Sequence, residues 1–192
     1  VIGVDTNFRE ILDETFFSAV RFRHASVILA LQKLFRAFFI SSNAASFNIA
    51  LDSNVDYSYE FLTLNYLSTD TTRLYSSGGA CTRIQKLKKL SDFQPAHKYL
   101  HPCIYALRDN CGKCGKCLCT ITGLYSLGTL ENFSKVFDLT EFEKNKNEYL
   151  SIVVKNKKCD DYRCYKNIYR LLKKRRINLL PAHLTAMIKR KS

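Results

Sequence analysis

Long apolar runs are what this 192-residue chain most conspicuously lacks. None reaches the ~18 residues that a membrane-crossing helix needs. The longest candidate, Ala25 to Ile40, is broken by Gln32, Lys33 and Arg36, so no membrane partner is expected. The opening residues carry no secretory-leader pattern. The expected setting is therefore cytoplasmic, where thiols stay reduced. No internal repeat is evident, which argues against a solenoid or propeller. The four histidines, His24, His97, His101 and His183, are too scattered to suggest a catalytic pair, although His101 stands close enough to Cys103 to support it from outside.

Acidic residues are scarce in one region only. Before Lys155 there are 17 Lys and Arg against 15 Asp and Glu; from Lys155 onward there are 13 against two. Nearly the whole net charge of +13 thus falls in the last 38 residues. Such a surplus is either a solvated basic surface or a contact for RNA or another polyanion, held through counterion release. Apolar residues make up 46% of the chain and aromatic ones 12%, enough to build a core rather than a disordered coil.

The periodicity predicts a strand over Val1 to Thr6. A helix follows over Phe16 to Phe35, with Phe16, Val20, Val27, Leu31 and Leu34 near helical spacing. Ala37 to Ile40 reads as a second strand, Phe47 to Ser58 as a polar loop and Arg73 to Ser76 as a third strand; Phe61 to Leu67 is ambiguous. Thr82 to Leu90 reads as a helix with Thr82 as its N-cap. Strand and helix alternating in this way predict a partial parallel sheet of an α/β domain. Because an N-terminal buried strand needs neighbours, further sequence upstream of Val1 is expected. After Leu118 the pattern is helical throughout: Thr120 to Leu127, Leu139 to Lys155, Asp161 to Arg175 and Pro181 to Lys191. In the third of these, Tyr162, Tyr165, Ile168, Tyr169 and Leu172 share one face, which should dock on the body.

The most specific chemistry lies between Cys103 and Cys117. Cys111, Cys114 and Cys117 fall at CxxCxxC spacing, with Cys103 a short loop upstream. Two intervening residues let a pair of thiolates face one centre, with Gly112 and Gly115 relieving the turns. Four thiolates make a closed tetrahedral zinc site. Lys113 and Lys116 would offset part of its negative charge. An iron–sulfur cluster uses similar spacing, and free or disulfide-bonded thiols are the plainer alternative. Cys119 would face away from the cluster in a helix; Cys81, Cys159 and Cys164 read as ordinary buried thiols.

The run Asn110-Cys111-Gly112 through Phe133 resembles the C-terminal zinc region of proteins similar to 7-cyano-7-deazaguanine synthase, in the PP-loop ATP pyrophosphatase superfamily. Asn110, Cys111, Gly112, Cys114, Lys116, Cys117, Thr120, Leu124, Leu127, Gly128, Leu130 and Phe133 fit the pattern NCGxCxKCxRTxxxLxxLGxLxxF. The Arg usual before Thr120 is Cys119 here. Upstream, Asp5-Thr6-Asn7-Phe8-Arg9-Glu10 resembles DTNxRE, and Ser68-Thr69 through Lys86 resembles ST…G…[ST]RxxK. The likeness spans about Val1 to Leu139. Ser77-Gly78-Gly79-Ala80-Cys81-Thr82 spells most of the SGGxD[ST] phosphate loop. However, Cys81 stands where that loop is acidic, and the preceding Thr71 to Tyr75 is only half apolar, so the string reads as a decoy.

The resemblance implies a PP-loop domain portion over 1–100, a zinc-binding cluster over 101–139 and a basic helical extension over 140–192. It implies ATP as cofactor and a small-molecule acid as substrate. The activity would be adenylation of a carboxylate-like oxygen for attack by a nitrogen nucleophile, this chain lacking the phosphate loop itself. Arg83 and Lys86 would meet a nucleotide phosphate, and Asp5, Thr6 and Asn7 would lie on the nucleotide or substrate side. The other expectation is a zinc-stabilised nucleic-acid-binding module that uses the basic C-terminal helices.

Overall fold

A computed structural model describes residues 3–11, 16–42, 60–106, 108–158 and 165–188. The fold is mixed but mostly helical, with a single two-stranded parallel sheet among the described residues. The chain forms two compact units, Val1–Cys81 and Thr82–Ser192.

In the first unit, helix α1 (Phe8–Ile11) and helix α2 (Phe16–Ala30) precede strand β1 (Ala37–Ser41). Helix α3 (Glu60–Leu67) lies in the crossover to strand β2 (Arg73–Ser77). Parallel strands cannot be joined by a tight turn, and the pairing Ala37↔Arg73 through Ser41↔Ser77 is parallel throughout. Alternation turns Phe38, Ile40 and Leu74 inward, where Ile40 and Leu74 join Ala25, Ile28 and Leu64 in a small core. Phe39 and Tyr75 point to the opposite face and stack with ring centroids 5.1 Å apart.

Ser68 and Thr69 build the turn from α3 into β2. Ser68 Oγ donates to the Leu64 carbonyl and accepts the Leu74 amide, each at 2.9 Å. Thr69 Oγ1 accepts the Thr72 amide at 3.0 Å. Thr72, itself buried, donates its hydroxyl to the Phe35 carbonyl at 2.7 Å and so ties β2 to the lead-in of β1.

Two sequence expectations are corrected here. No strand forms over the described part of Val1–Thr6: Gly3 to Asn7 are exposed and irregular, and among the described residues β1 and β2 pair with each other alone. The helix expected to run to Phe35 ends at Ala30 and continues as turns over 31–34. From Arg21 onward the buried positions are Arg21, Ala25 and Ile28, whereas Val27 and Leu31 are half-buried and Leu34 is exposed. The expected loop over Phe47–Ser58 lies outside the described residues.

The second unit begins with helix α4 (Arg83–Ser91), started by Thr82 in a full capping box with Gln85. Helix α5 (Gln94–Tyr99) follows, then helix α6 (Gly115–Leu127) and a 3-10 turn, Leu130–Phe133. The expected helix over Leu139–Lys155 is two, α7 (Leu139–Lys144) and α8 (Lys146–Lys155). Asn145 separates them: its amide and side-chain Nδ2 both donate to the Glu141 carbonyl, closing α7 before α8 starts. Helices α9 (Tyr165–Lys174) and α10 (Leu180–Ile188) complete the unit.

Helix α6 is buried on nearly every side. It packs on α4, α8 and α9. Gly123 permits the approach of α4, since a Cβ there would come within 2.5 Å of Leu87 Cδ1. The docking face expected on α9 is present: Tyr165, Ile168 and Leu172 are buried. Tyr162 lies outside the described residues. Arg170, Lys173 and Lys174 face solvent. One core cluster runs from Ile84 to Ala186 and takes in residues of α9 and α10.

That shared core gives the first prediction. Leu172 is wholly inaccessible to solvent, so Leu172→Ala should cost about 2–5 kcal/mol in a denaturant titration. A cost below about 1 kcal/mol would mean that α9 merely rests on the surface.

Candidate metal centre

The four sulfurs of Cys103, Cys111, Cys114 and Cys117 all lie within 4.8 Å of one another. Cys111 and Cys117 are 4.0 Å apart. Four sulfurs each ~2.3 Å from a tetrahedral zinc stand ~3.8 Å from each other, so the cluster has the right size. A disulfide would need ~2.05 Å. All four thiols are free.

Backbone geometry aims the sulfurs. Gly112 has φ +67°, in the left-handed region that side chains avoid, and it turns the chain between Cys111 and Cys114. The Cys114 amide then donates to Cys111 Sγ at 3.3 Å. Cys114 is the N-cap of α6, and its own sulfur accepts the Cys117 amide at 3.4 Å. Gly115, expected to relieve a second turn, is instead the first residue of α6. Cys103 Sγ accepts the Ala106 amide at 3.4 Å.

Asn110 binds the separate Cys103 strand of chain to this knuckle. Its Oδ1 accepts the Cys103 amide at 3.3 Å, while Nδ2 donates to the carbonyls of Leu100, at 2.9 Å, and Val136, at 3.0 Å. Three chain segments are thereby fixed by one side chain. Sequence spacing gave Asn110 only a place in a pattern; its role is visible from the hydrogen bonds alone.

The electrostatics of the thiols differ. Amide hydrogen bonds, the one from Cys111 foremost, hold the Cys103 thiol down to about 6. For Cys114, burial pushes upward but is outweighed by hydrogen bonds from the Cys117 amide and thiol, Cys111 and Lys116, and the net shift is downward. Burial, with the neighbouring sulfurs, pushes Cys117 well above the ordinary thiol range. Amides directed at sulfur favour thiolates, the form a metal needs. Lys113 and Lys116 stand exposed beside the knuckle.

No protein-family model, curated protein or solved structure matches the chain.

Cys119 is buried in α6 and is not part of the cluster. Cys81 is half-buried and free, while Cys159 and Cys164 lie outside the described residues. His101 is exposed. His97 bonds the Ser91 carbonyl at 2.8 Å and packs edge-on against Phe133, which is a structural use. Arg83 and Lys86 are half-buried one turn apart on α4. The Gln85 amide there is already taken by Thr82 Oγ1 at 3.3 Å, so one of the helix's leading donors is committed within the protein. Asp5, Thr6 and Asn7 are exposed; Thr6 Oγ1 accepts the Phe8 amide and the Asn7 carbonyl accepts those of Glu10 and Ile11, so they lead into α1. One feature of the first unit had no sequence signal: Arg21 of α2 pairs with Glu60 of α3, both buried, and Ser76 of β2 donates to the same carboxylate at 2.5 Å. Burial and the neighbouring Arg21 and Arg23 hold His24, beside this pair, below its ordinary range.

Protein purified without added metal should carry about one zinc per chain. Cys114→Ser should lose it, and Cys119→Ser should keep it. Asn110→Ala should weaken zinc by about 10–100-fold through misplacement of Cys103. Metal analysis and competition with a chromogenic chelator measure all three. Protons compete for the same sulfurs, so affinity should fall as pH falls.

Proposed function

We propose that this chain is the zinc-holding C-terminal part of a PP-loop-type ATP-dependent enzyme, similar to 7-cyano-7-deazaguanine synthase-like proteins and working in the cytoplasm. The observation that carries this reading is that the positions of the resembling pattern do connected structural work. Asn110 anchors Cys103, Gly112 makes the left-handed turn and Cys114 caps α6. At the other end Gly128, φ +79°, closes the helix, and Leu124, Leu130 and Phe133 fill the core beneath it. The parallel β1–β2 pair with its helical crossover fits an α/β domain of this type.

Zinc in this reading is structural, because four protein sulfurs leave no open position for substrate. ATP would supply the adenylyl group that activates a carboxylate-like oxygen of a small acid for a nitrogen nucleophile. Arg83 and Lys86, side by side on the first turn of α4, suit the phosphate part of such a nucleotide by charge.

Titration of the full chain with ATP tests this. Binding should weaken several-fold in Arg83→Ala and in Lys86→Ala, with zinc content unchanged. ATP that fails to bind, or that binds both variants as it binds the parent, overturns the assignment. The Ser77-Gly78-Gly79 string is not the phosphate loop in this reading, so the chain alone should release no pyrophosphate above a heat-killed control. Release that disappears in Gly78→Ala would contradict it.

A second reading, a zinc-stabilised module that binds nucleic acid, is favoured by charge. The unit Thr82–Ser192 holds 24 Lys and Arg against nine Asp and Glu, whereas Val1–Cys81 holds six against eight. RNA affinity of the full chain should then fall steeply and log-linearly with salt; a flat salt response would remove this reading.

A further inference from the structure

The end of α8, the turn over 156–158 that follows it, and α10 from His183 to Met187 line an open cleft of about 320 Å³. Its lining combines three cations, Lys155, Lys157 and Lys158, with His183 and an apolar floor of Val154, Ala186 and Met187. No acidic side chain is among these lining residues. The volume sits at the lower end of the ~300–1,000 Å³ typical of small-ligand sites.

The surroundings are built rather than incidental. Ala182 and Ala186, both buried, let α10 lie close on α8. Lys157 Nζ stands 5.2 Å from the centroid of the Tyr169 ring, and that ring meets His183 edge-on at 6.2 Å. Lysines near a helix C-terminus ordinarily serve the helix dipole. That role does not account for an apolar floor beneath them or for two aromatic rings at one side. Met187 remains largely exposed at the rim, as a flexible surface able to take a flat apolar group.

We infer that this cleft binds a phosphate ester of a nucleotide. The lysines hold the phosphate, and the base rests on the Val154, Ala186 and Met187 floor. The inference rests on the second reading above and narrows it to one place and one chemical group. Two sources share this chemistry, a free mononucleotide and a single-stranded nucleic acid. Cations beside aromatic and apolar surface are the usual elements of single-strand recognition. An anion without a base would use the lysines only.

The test uses the full chain with inorganic phosphate, uridine monophosphate and an eight-residue oligouridine, at two salt concentrations. One variant removes two cleft cations, Lys157→Ala with Lys158→Ala. Its control removes the same charge from an exposed pair on α9, Lys173→Ala with Lys174→Ala. Zinc content and the circular dichroism of each variant confirm that it is folded. The expected result is an oligouridine affinity lowered about tenfold or more by the cleft variant and less than about twofold by the control. A third variant, Met187→Ser, should weaken both uridine ligands and leave inorganic phosphate less affected. Oligouridine bound more tightly than uridine monophosphate, with a steeper salt slope, identifies the strand as the source; equal affinities identify the mononucleotide. Equal losses in the cleft and control variants would overturn the cleft while leaving a general polyanion surface in place. Absence of salt-dependent oligouridine binding by the parent chain would overturn that surface too.

Discussion

Cys114 belongs to two structures at once, and the second unit depends on that coincidence. Its sulfur is one corner of the four-thiol cluster, and the same sulfur accepts the Cys117 amide as the N-cap of α6. The start of the most buried helix in the unit is therefore set by the geometry of the sulfur cluster. Without a partner, the first amides of a helix in a dry site would each carry a desolvation cost. Here the Cys114 sulfur supplies that partner, and in its thiolate form it would place a negative charge where the helix dipole favours one. A metal held by the four sulfurs would therefore also fix the start of α6, as in small domains whose folding is coupled to metal binding.

From α6 outward the arrangement follows by packing. Gly123 sets the distance to α4, and Ile168 and Leu172 of α9 fill another side. Ala182 and Ala186 then allow α10 to lie close on α8. At the far end of α6, Gly128 ends the helix in the left-handed region, where the Arg175 guanidinium also donates to the Tyr125 carbonyl at 2.5 Å. A basic residue thus serves the C-terminus of one helix from the end of another. Part of the charge surplus is structural, and part stands in solvent on α9 or around the cleft between α8 and α10.

The first unit is organised differently. Among its described residues a buried Arg21–Glu60 pair with Ser76 joins α2, α3 and β2 beside the apolar cluster of Ala25, Ile28, Ile40, Leu64 and Leu74. Desolvating two charges is expensive, and the pair is more persuasive as a device for fixing how these elements meet than as a source of stability. Ser68, Thr69 and Thr72 do comparable work with hydroxyls, closing the turn before β2 and tying it to β1.

Local chemistry made several features legible in the sequence. Thr82 followed three residues later by Gln85 announces a capped helix. The CxxCxxC run with Cys103 upstream announces a thiol cluster, because ligand spacing is fixed by the reach of one turn. The strands at Ala37 and Arg73 follow from short apolar segments between turn residues, and the docking face of α9 from a strong helical period. What spacing could not reveal depends on partners distant in the chain. The strand expected over Val1 to Thr6 rested on its apolar residues, but Gly3, Asp5 and Asn7 disfavour a strand, and Gly3 to Asn7 find no partner strand among the described residues. Arg21 is buried because Glu60 receives it, and that overrides the apolar period of α2. Asn110 acquires its importance only when Leu100, Cys103 and Val136 converge on it. The break at Asn145 is local by contrast, its side chain taking a carbonyl of the preceding turn. The chain alone determined which residues could ligate, cap and turn; tertiary structure decided which charges were buried and how the basic segment joined the core, since these are settled by contacts between residues far apart in sequence.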